Sequence, residues 1–242
     1  MLFFTPGIRL LSSQVRSELQ YRLRLPHERD FRALTLLRRG PAPLVLDVGA
    51  NIGQSVFSIK GVLPDARVIS FEPNPVNLVS LKRLERRFPS VTVWGVGLGA
   101  AAREARLFIP VYRGKTMSTL ASLDEARTWL GPDTVYWFSP KRLDVDEVTV
   151  RLETLDSFDL SPDFIKIDAE GAESDVIQGG LQTIQRSRPV IMAESLEVSG
   201  VVQELIETAG YRLLEFADGG FRPPSRNPNR FLVPEESEAA RA

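Results

Sequence analysis

From Pro43 onward the chain repeats one unit: a short apolar run, a turn of small or polar residues, then apolar residues at helical spacing. LVLDV leads into SVFSIKGVL, RVISFE into PVNLVSLKRLERRF, and VTVWGV into a long irregular stretch. The unit returns with DFIKID before ESDVIQGGLQTIQRS and PVIMAE before SGVVQELIETAG. Strands that alternate with helices build a parallel α/β sheet, because parallel neighbours need a crossover to bring the chain back to the same edge. The last two runs, YRLLEF and NRFLV, flank the turn-rich GGFRPPSRNPN. Strands without a crossover helix pair antiparallel or lie apart. One antiparallel strand is therefore expected to close the sheet.

Two segments break the pattern. Residues 100–160 hold a strand (ARLFIPV), a flexible Arg113 to Leu120, a helix (SLDEARTWL) and another strand (EVTVRLETL), read as an insertion over one mouth of the sheet. Residues 1–43 carry 8 Lys/Arg against 3 Asp/Glu, whereas residues 44–242 carry 22 against 28. Leu10, Leu11, Val15 and Leu19, then Phe31, Leu34, Leu36 and Leu37, recur at helical spacing and predict two amphipathic helices packed on a core. The sharper alternative is a basic helix pair on an anionic lipid surface with Phe3 and Phe4 inserted. The polar tail, residues 235–242, is expected to fray.

Thirty Lys and Arg against 31 Asp and Glu leave a net charge of −1, so no overall positive field gathers nucleic acid. With no cysteine there is no disulfide, thiolate metal site or cysteine nucleophile. His27 is the one histidine, which excludes a two-histidine zinc motif and leaves a Ser–His–Asp triad only that residue to be built on. Acid and base chemistry falls to carboxylates, Lys or Tyr. No apolar run approaches the roughly 18 to 20 residues that span a bilayer. The opening MLFFTPGIRLLSSQ has neither a basic leader nor a long apolar region, so a cytoplasmic location is expected.

The first turn, Leu46 to Gly53, reads LDVGANIG directly between strand and helix. Gly49 and Gly53 allow a tight turn and close approach of the backbone to a ligand. A dinucleotide fold wants GxGxxG, yet Asn51 holds the middle glycine position. Asp47 is a second departure, since its carboxylate would repel a pyrophosphate and welcome a sulfonium or an amino group. Glu72 ends the second strand 25 residues after Asp47, where it can accept hydrogen bonds from both hydroxyls of a ribose. Phe164 to Glu173 then delivers three carboxylates, Asp168, Glu170 and Glu173. Strand carboxyl ends face the crevice of an open α/β sheet, which sets Asp168 and Glu170 beside a reacting centre. Glu173, in a first helical turn, suits the helix dipole instead.

VLDVGANIGQ, the FEP after the second strand, TLDSF, and FIKIDAEGAE followed by RPVIMAE together resemble the FkbM family of S-adenosylmethionine-dependent methyltransferases over about residues 44–196. Ala169 stands where that family usually has Val, and Ser118-Thr119-Leu120 where it often has Ser-Ser-Leu. The resemblance implies a Rossmann-like class I methyltransferase fold: an α/β, seven-stranded, mostly parallel sheet in the order 3-2-1-4-5-7-6, strand 7 antiparallel, helices on both faces. Residues 44–234 would be the catalytic domain, following the helical segment 1–43. The implied reaction is methyl transfer from S-adenosyl-L-methionine, most often to a hydroxyl of a sugar, polyketide or lipid-linked natural product. The implied partner is thus a small-molecule or glycan- or lipid-linked acceptor, with no nucleic acid and no stable membrane insertion.

On that reading Asp47, Gly49, Asn51, Gly53, Glu72 and Asp168 hold the cofactor. Asp168, Glu170 and Glu194 face the acceptor, with Asp168 the first choice of base and Glu194 the second. No metal ligands are assigned, although a divalent ion on Asp168, Glu170 and Glu194 is an alternative. His27 is a weaker alternative base. Trp129, Tyr136, Trp137 and Phe138 either form an acceptor lid or pack the insertion. Two other classes compete: an NAD-dependent oxidoreductase, against which Asp47 and Asn51 speak, and a non-catalytic module that binds S-adenosylmethionine without consuming it.

Overall fold

The protein is described from a computed structural model over residues 13–37, 40–112, 114–124, 143–194, 196–198, 200–225 and 227–237. Helix α1 (Ser13–Arg22) and a 3-10 segment (Arg29–Leu36) precede β1 (Leu44–Val48), α2 (Gln54–Val62), β2 (Arg67–Phe71), α3 (Pro75–Arg87) and β3 (Val91–Trp94). The insertion contributes β4 (Gly97–Leu98), β5 (Arg103–Tyr112), β6 (Lys115–Thr116) and β7 (Leu143–Glu153). The core resumes with β8 (Phe164–Ile167), α4 (Glu173–Gln178), α5 (Leu181–Ser187), β9 (Val190–Glu194), α6 (Gly200–Glu207), β10 (Tyr211–Ala217), β11 (Gly220–Arg222) and β12 (Asn229–Pro234).

All five residues of β1 are buried, as an apolar strand covered on both faces requires. Alternate side chains leave the sheet in opposite directions. Val45, Val68, Phe164 and Phe231 meet α2, α3 and the 3-10 segment, while Leu46, Ile165, Ile191 and Leu232 meet α4, α5 and α6. The main sheet runs β3-β2-β1-β8-β9-β12-β10-β11. Its first seven strands follow the order 3-2-1-4-5-7-6, and β12 is antiparallel to both β9 and β10.

The antiparallel strand stands between β9 and β10, as the implied order has it. One expectation is corrected. An eighth strand, β11, forms inside the segment read as turn. Asp218 and Gly219 both take positive φ (54° and 89°), a two-residue hairpin loop that joins Ala217 to its partner Gly220.

The predicted helix ESDVIQGGLQTIQRS is two helices, α4 and α5, broken at Gly179-Gly180. A Cβ at Gly179 would sit 2.0 Å from the Gly99 carbonyl, so close packing against the insertion's first loop dictates the glycine. In the insertion β5 and β7 pair antiparallel over ten positions, within a second sheet of order β4-β7-β5-β6. Arg113 to Leu120, read as flexible, carries β6 and a 3-10 turn at Ser118–Leu120; Arg113 itself lies outside the described residues. Ser122 bridges to Phe108, and residues 122–124 are not helical; the rest of the predicted SLDEARTWL helix and the four aromatics of the supposed lid lie outside the described residues.

The second predicted N-terminal helix is the 3-10 segment, with Phe31 and Leu34 fully buried as expected. The first is turned around. Tyr21 takes the inward place, its ring 5.4 Å from that of Phe88, whereas Val15 and Leu19 face outward. Leu10 and Leu11 lie outside the described residues. At the other end Glu235 N donates to the Gly210 carbonyl and Glu236 pairs with Arg188, holding the start of the tail.

Candidate active site

Parallel register aligns Val48, Ile167 and Ala193 across β1, β8 and β9, so Gly49, Asp168 and Glu194 follow side by side at the carboxyl edge. Neighbouring strands lie about 5 Å apart. Gly49 has φ +73°, and a Cβ there would stand 1.8 Å from the Asp168 carbonyl oxygen, which only glycine avoids. Asn51 (φ 51°) and Gly53 (φ 93°) continue the left-handed turn and deliver the N-terminus of α2.

A cleft of about 670 Å³, counted out to open solvent, lies over this edge. Gly49, Asn51, Glu72, Asp168 and Glu170 line it. Asn77 from α3 and Ser118, Ala121, Ser122 and Leu123 from the insertion complete the wall. Asp47, Gly53 and Glu194 are not in the lining. Gly53 instead packs under Leu84, and Glu194 stands one strand further along.

Glu72 is 5% exposed and heavily bonded. Its Oε2 accepts from Asn51 N at 2.7 Å; its Oε1 accepts from Asn74 N at 2.9 Å and Asn77 Nδ2 at 3.4 Å. Burial pushes its pKa up, against the pull of those bonds and of Lys166. The amides of Asn74 and Asn77 also reach the Ser118 carbonyl, at 3.3 and 3.5 Å, tying the insertion to the end of β2. Asn51 Oδ1 and Asn77 Oδ1 are buried with no hydrogen-bond partner. A buried acceptor without a donor is costly, so the cleft suits a ligand that brings donors.

Beneath the cleft sits a lysine to which the sequence reading gave no role. Lys166 Nζ lies 3.3 Å from Asp168 Oδ2 and 3.5 Å from Asp47 Oδ1, and donates to the Gly49 carbonyl at 3.0 Å. Burial alone would depress its pKa, but the Asp168 and Asp47 carboxylates outweigh that and raise it. Asp47 is fully buried and also accepts from Ser55 Oγ at 2.6 Å. The cation that Asp47 was expected to welcome is the protein's own. The signal was legible as a lone charge within the apolar FIKI strand.

Glu173 Oε1 accepts from Ala169 N at 3.0 Å and Gly171 N at 3.1 Å, so it props the loop that presents Asp168 and Glu170. Glu194 is exposed at the end of β9; its partial desolvation, then the like charges of Asp168 and Glu28, raise its pKa. His27 Nδ1 lies 2.7 Å from Ser58 Oγ and the ring does not line the cleft. Among the described residues no group of three His, Asp or Glu side chains is arranged to hold a metal ion, so Asp168, Glu170 and Glu194 do not form the trio considered above.

A sheet of order 3-2-1-4-5-7-6 with an antiparallel seventh strand and a cleft over its carboxyl edge defines a class I methyltransferase fold. The Methyltransferase FkbM domain matches residues 47–223, and the chain belongs to this family. It is 34% identical over 164 residues to the AMB antimetabolite synthetase AmbE of Pseudomonas aeruginosa, covering 57% of this chain and 8% of that one. It is 25% identical over 167 residues to the 2-O-methyltransferase NoeI of Sinorhizobium fredii, covering 65% of each. The crystal structure of methyltransferase FkbM from Methylobacillus flagellatus KT shares the fold at TM-score 0.54 and 20% identity, over 93% of this chain and 56% of that one. The chain thus spans less than two thirds of each of these relatives.

Proposed function

We propose that the protein is an S-adenosylmethionine-dependent methyltransferase acting on a hydroxyl of a small-molecule, glycan or lipid-linked acceptor. One observation carries the reading: the buried Glu72 carboxylate and the partnerless amide oxygens of Asn51 and Asn77 line the same cleft as Asp168. Their acceptors match the hydroxyl and amino donors of an adenosyl-methionine ligand. That NoeI is a 2-O-methyltransferase supports an oxygen acceptor.

When bound, S-adenosylmethionine supplies a methyl carbon already activated by its sulfonium. The residues of the chain align and deprotonate. Glu72 accepts from the ribose hydroxyls, and the Gly49 to Gly53 turn with Asp168 holds the methionine part. Asp47 acts from below, as a positioning residue through Lys166 and Ser55. Orientation of this kind supplies roughly 7 to 11 kcal/mol in favourable cases. Asp168, which lines the cleft with Glu170 and faces the acceptor, takes the hydroxyl proton, and Glu194, one strand further along, is the second candidate. Residues 44–234 form the catalytic domain, and the insertion supplies the wall that selects the acceptor.

Calorimetric titration with S-adenosylmethionine and, separately, NAD tests the cofactor. Selective binding of the former, weakened in Glu72→Ala, is expected. Binding of NAD alone would make the protein an oxidoreductase. S-adenosylmethionine bound but never converted to S-adenosylhomocysteine, across a panel of hydroxylated sugars and lipids, would make it a binding module.

A further inference from the structure

Helix α1 and the turn after it expose aliphatic side chains. Ser17 is buried (2% exposed), while Leu19, Leu23 and Leu25 are 38%, 58% and 47% exposed and Val15 is 50% exposed. Leu19 and Leu23 are four residues apart and so share one helical face. The neighbouring helix α3, joined to α1 by the Glu18–Arg87 ion pair, exposes Val76 (48%) and Val79 (58%). Between the two helices Val15, Ile52, Phe57 and Leu84 line an apolar groove with Arg83 at its rim. Exposed aliphatic side chains on two neighbouring helices beside an apolar groove mark a candidate interaction surface.

Charge identifies the partner. Residues 13–25 and 75–87 together carry seven Lys/Arg against two Glu, in a chain whose net charge is −1. Both glutamates are committed, Glu18 to Arg22 and Arg87 and Glu85 to Lys82. Arg16, Arg24, Arg83 and Arg86 are the excess. A second copy meeting this face about a two-fold axis would set like charges against each other. A nucleic acid would engage the arginines and leave the leucines in water. An arrangement of aliphatic side chains edged by arginines fits an anionic bilayer surface, where apolar groups enter the acyl boundary and cations meet lipid phosphates.

We propose that the α1/α3 face docks the protein on anionic membrane, with Leu19, Leu23 and Leu25 inserted and Arg16, Arg24, Arg83 and Arg86 against the headgroups. This does not depend on the methyl-transfer reading.

Sedimentation of the full chain with vesicles tests it. Binding is expected to mixed phosphatidylglycerol and phosphatidylcholine vesicles but not to phosphatidylcholine alone, and to weaken as salt rises. Leu19→Asp with Leu23→Asp should lower the partition about tenfold or more, as should Arg16→Glu with Arg83→Glu. These sites are on the surface, and an unchanged thermal melt confirms that the variants fold. No binding to anionic vesicles would overturn the proposal. So would binding indifferent to the leucines, which is simple attraction of a basic patch, or a solution dimer that the leucine variant dissociates.

Discussion

The Lys166 ammonium lies 3.3 Å from the Asp168 carboxylate, at the floor of the cleft. The same ammonium faces Asp47, which is fully buried. One cation thus ties the turn after β1 to the carboxylate after β8, two strand ends beneath the cleft.

Replacing Lys166 by Met leaves Asp47 buried with only hydroxyl neighbours. Removing one partner of a buried pair costs about 3–5 kcal/mol, so the urea midpoint should fall by a corresponding amount. Adding Asp47→Asn should restore part of the loss, because the uncompensated charge goes. The pH dependence follows from a folded pKa raised above the usual 10.5. The pair's contribution is complete below that value and is lost as pH climbs through the folded one. Wild type and Lys166→Met should therefore converge in stability only in strong alkali.

Glu72→Gln keeps the size of the side chain but turns an amide NH₂ toward the Asn51 or Asn74 amide N–H, both of which now donate to it. Affinity for S-adenosylmethionine should fall about tenfold to a hundredfold, matching 1–3 kcal/mol for an unmet buried group. Burial raises the folded pKa of Glu72 above 4.5. Protonation thus favours the folded state as pH falls through that value toward 4.5, while affinity for the ribose, which needs both acceptor oxygens, falls over the same window. Calorimetry and thermal melts across mild acid should move in opposite directions.

How much of this was legible follows from which interactions are local. β1 and β2 and the Gly49 to Gly53 turn are written in apolar runs and small residues, and all stand as read. The Asp218-Gly219 hairpin was equally local, but the prolines that follow masked it as a loop. The orientation of α1 was not local: spacing placed Val15 and Leu19 inward, and the choice was made by Tyr21 against Phe57 and Phe88 and by Glu18 against Arg87, 69 residues away. The site divided the same way. Glu72 and Asp168 could be placed at strand ends because topology delivers them there, whereas Lys166, Asn77 and Ser118 have partners that only the folded sheet brings near.

Gly49→Ala should be the most damaging single-methyl change in the turn. The added carbon meets backbone at 1.8 Å, which cannot swing away, and φ is +73°. A loss of about 2 kcal/mol or more is expected from strain and overpacking together. The Cβ at Gly53 meets Leu84 Cδ1, the end of a flexible side chain, at 2.2 Å. Gly53→Ala should cost less, and comparison of the two denaturation midpoints checks the order.

Glu215 is buried on β10, where it accepts from Ser225 Oγ and N and pairs with Arg222 at 2.8 Å. Those bonds, Ser225 first, hold its pKa down to about 2. A depressed carboxylate stabilises the fold above its ordinary value of 4.5 and ceases to as pH falls through about 2. Glu215→Gln should lower the melting temperature at neutral pH, and the gap should close between pH 4.5 and 2.

Glu194 and Glu28 give a test of the second candidate base. The pKa of Glu194 is raised first by partial desolvation, then by Asp168 and by Glu28. A base acts only when deprotonated, so kcat/KM for an accepted hydroxyl substrate should rise with pH through a limb above 4.5. With Glu194 as the base, Glu194→Gln would abolish most of the rate and leave S-adenosylmethionine affinity within about twofold, since a transition-state role touches the rate and not the ground-state complex. Glu28 comes from the N-terminal segment and does not line the cleft. Glu28→Gln removes one like charge, so the limb should move toward lower pH while the plateau rate holds. A limb that stays in place would mean that the titrating base is another group, with Asp168 the next to replace.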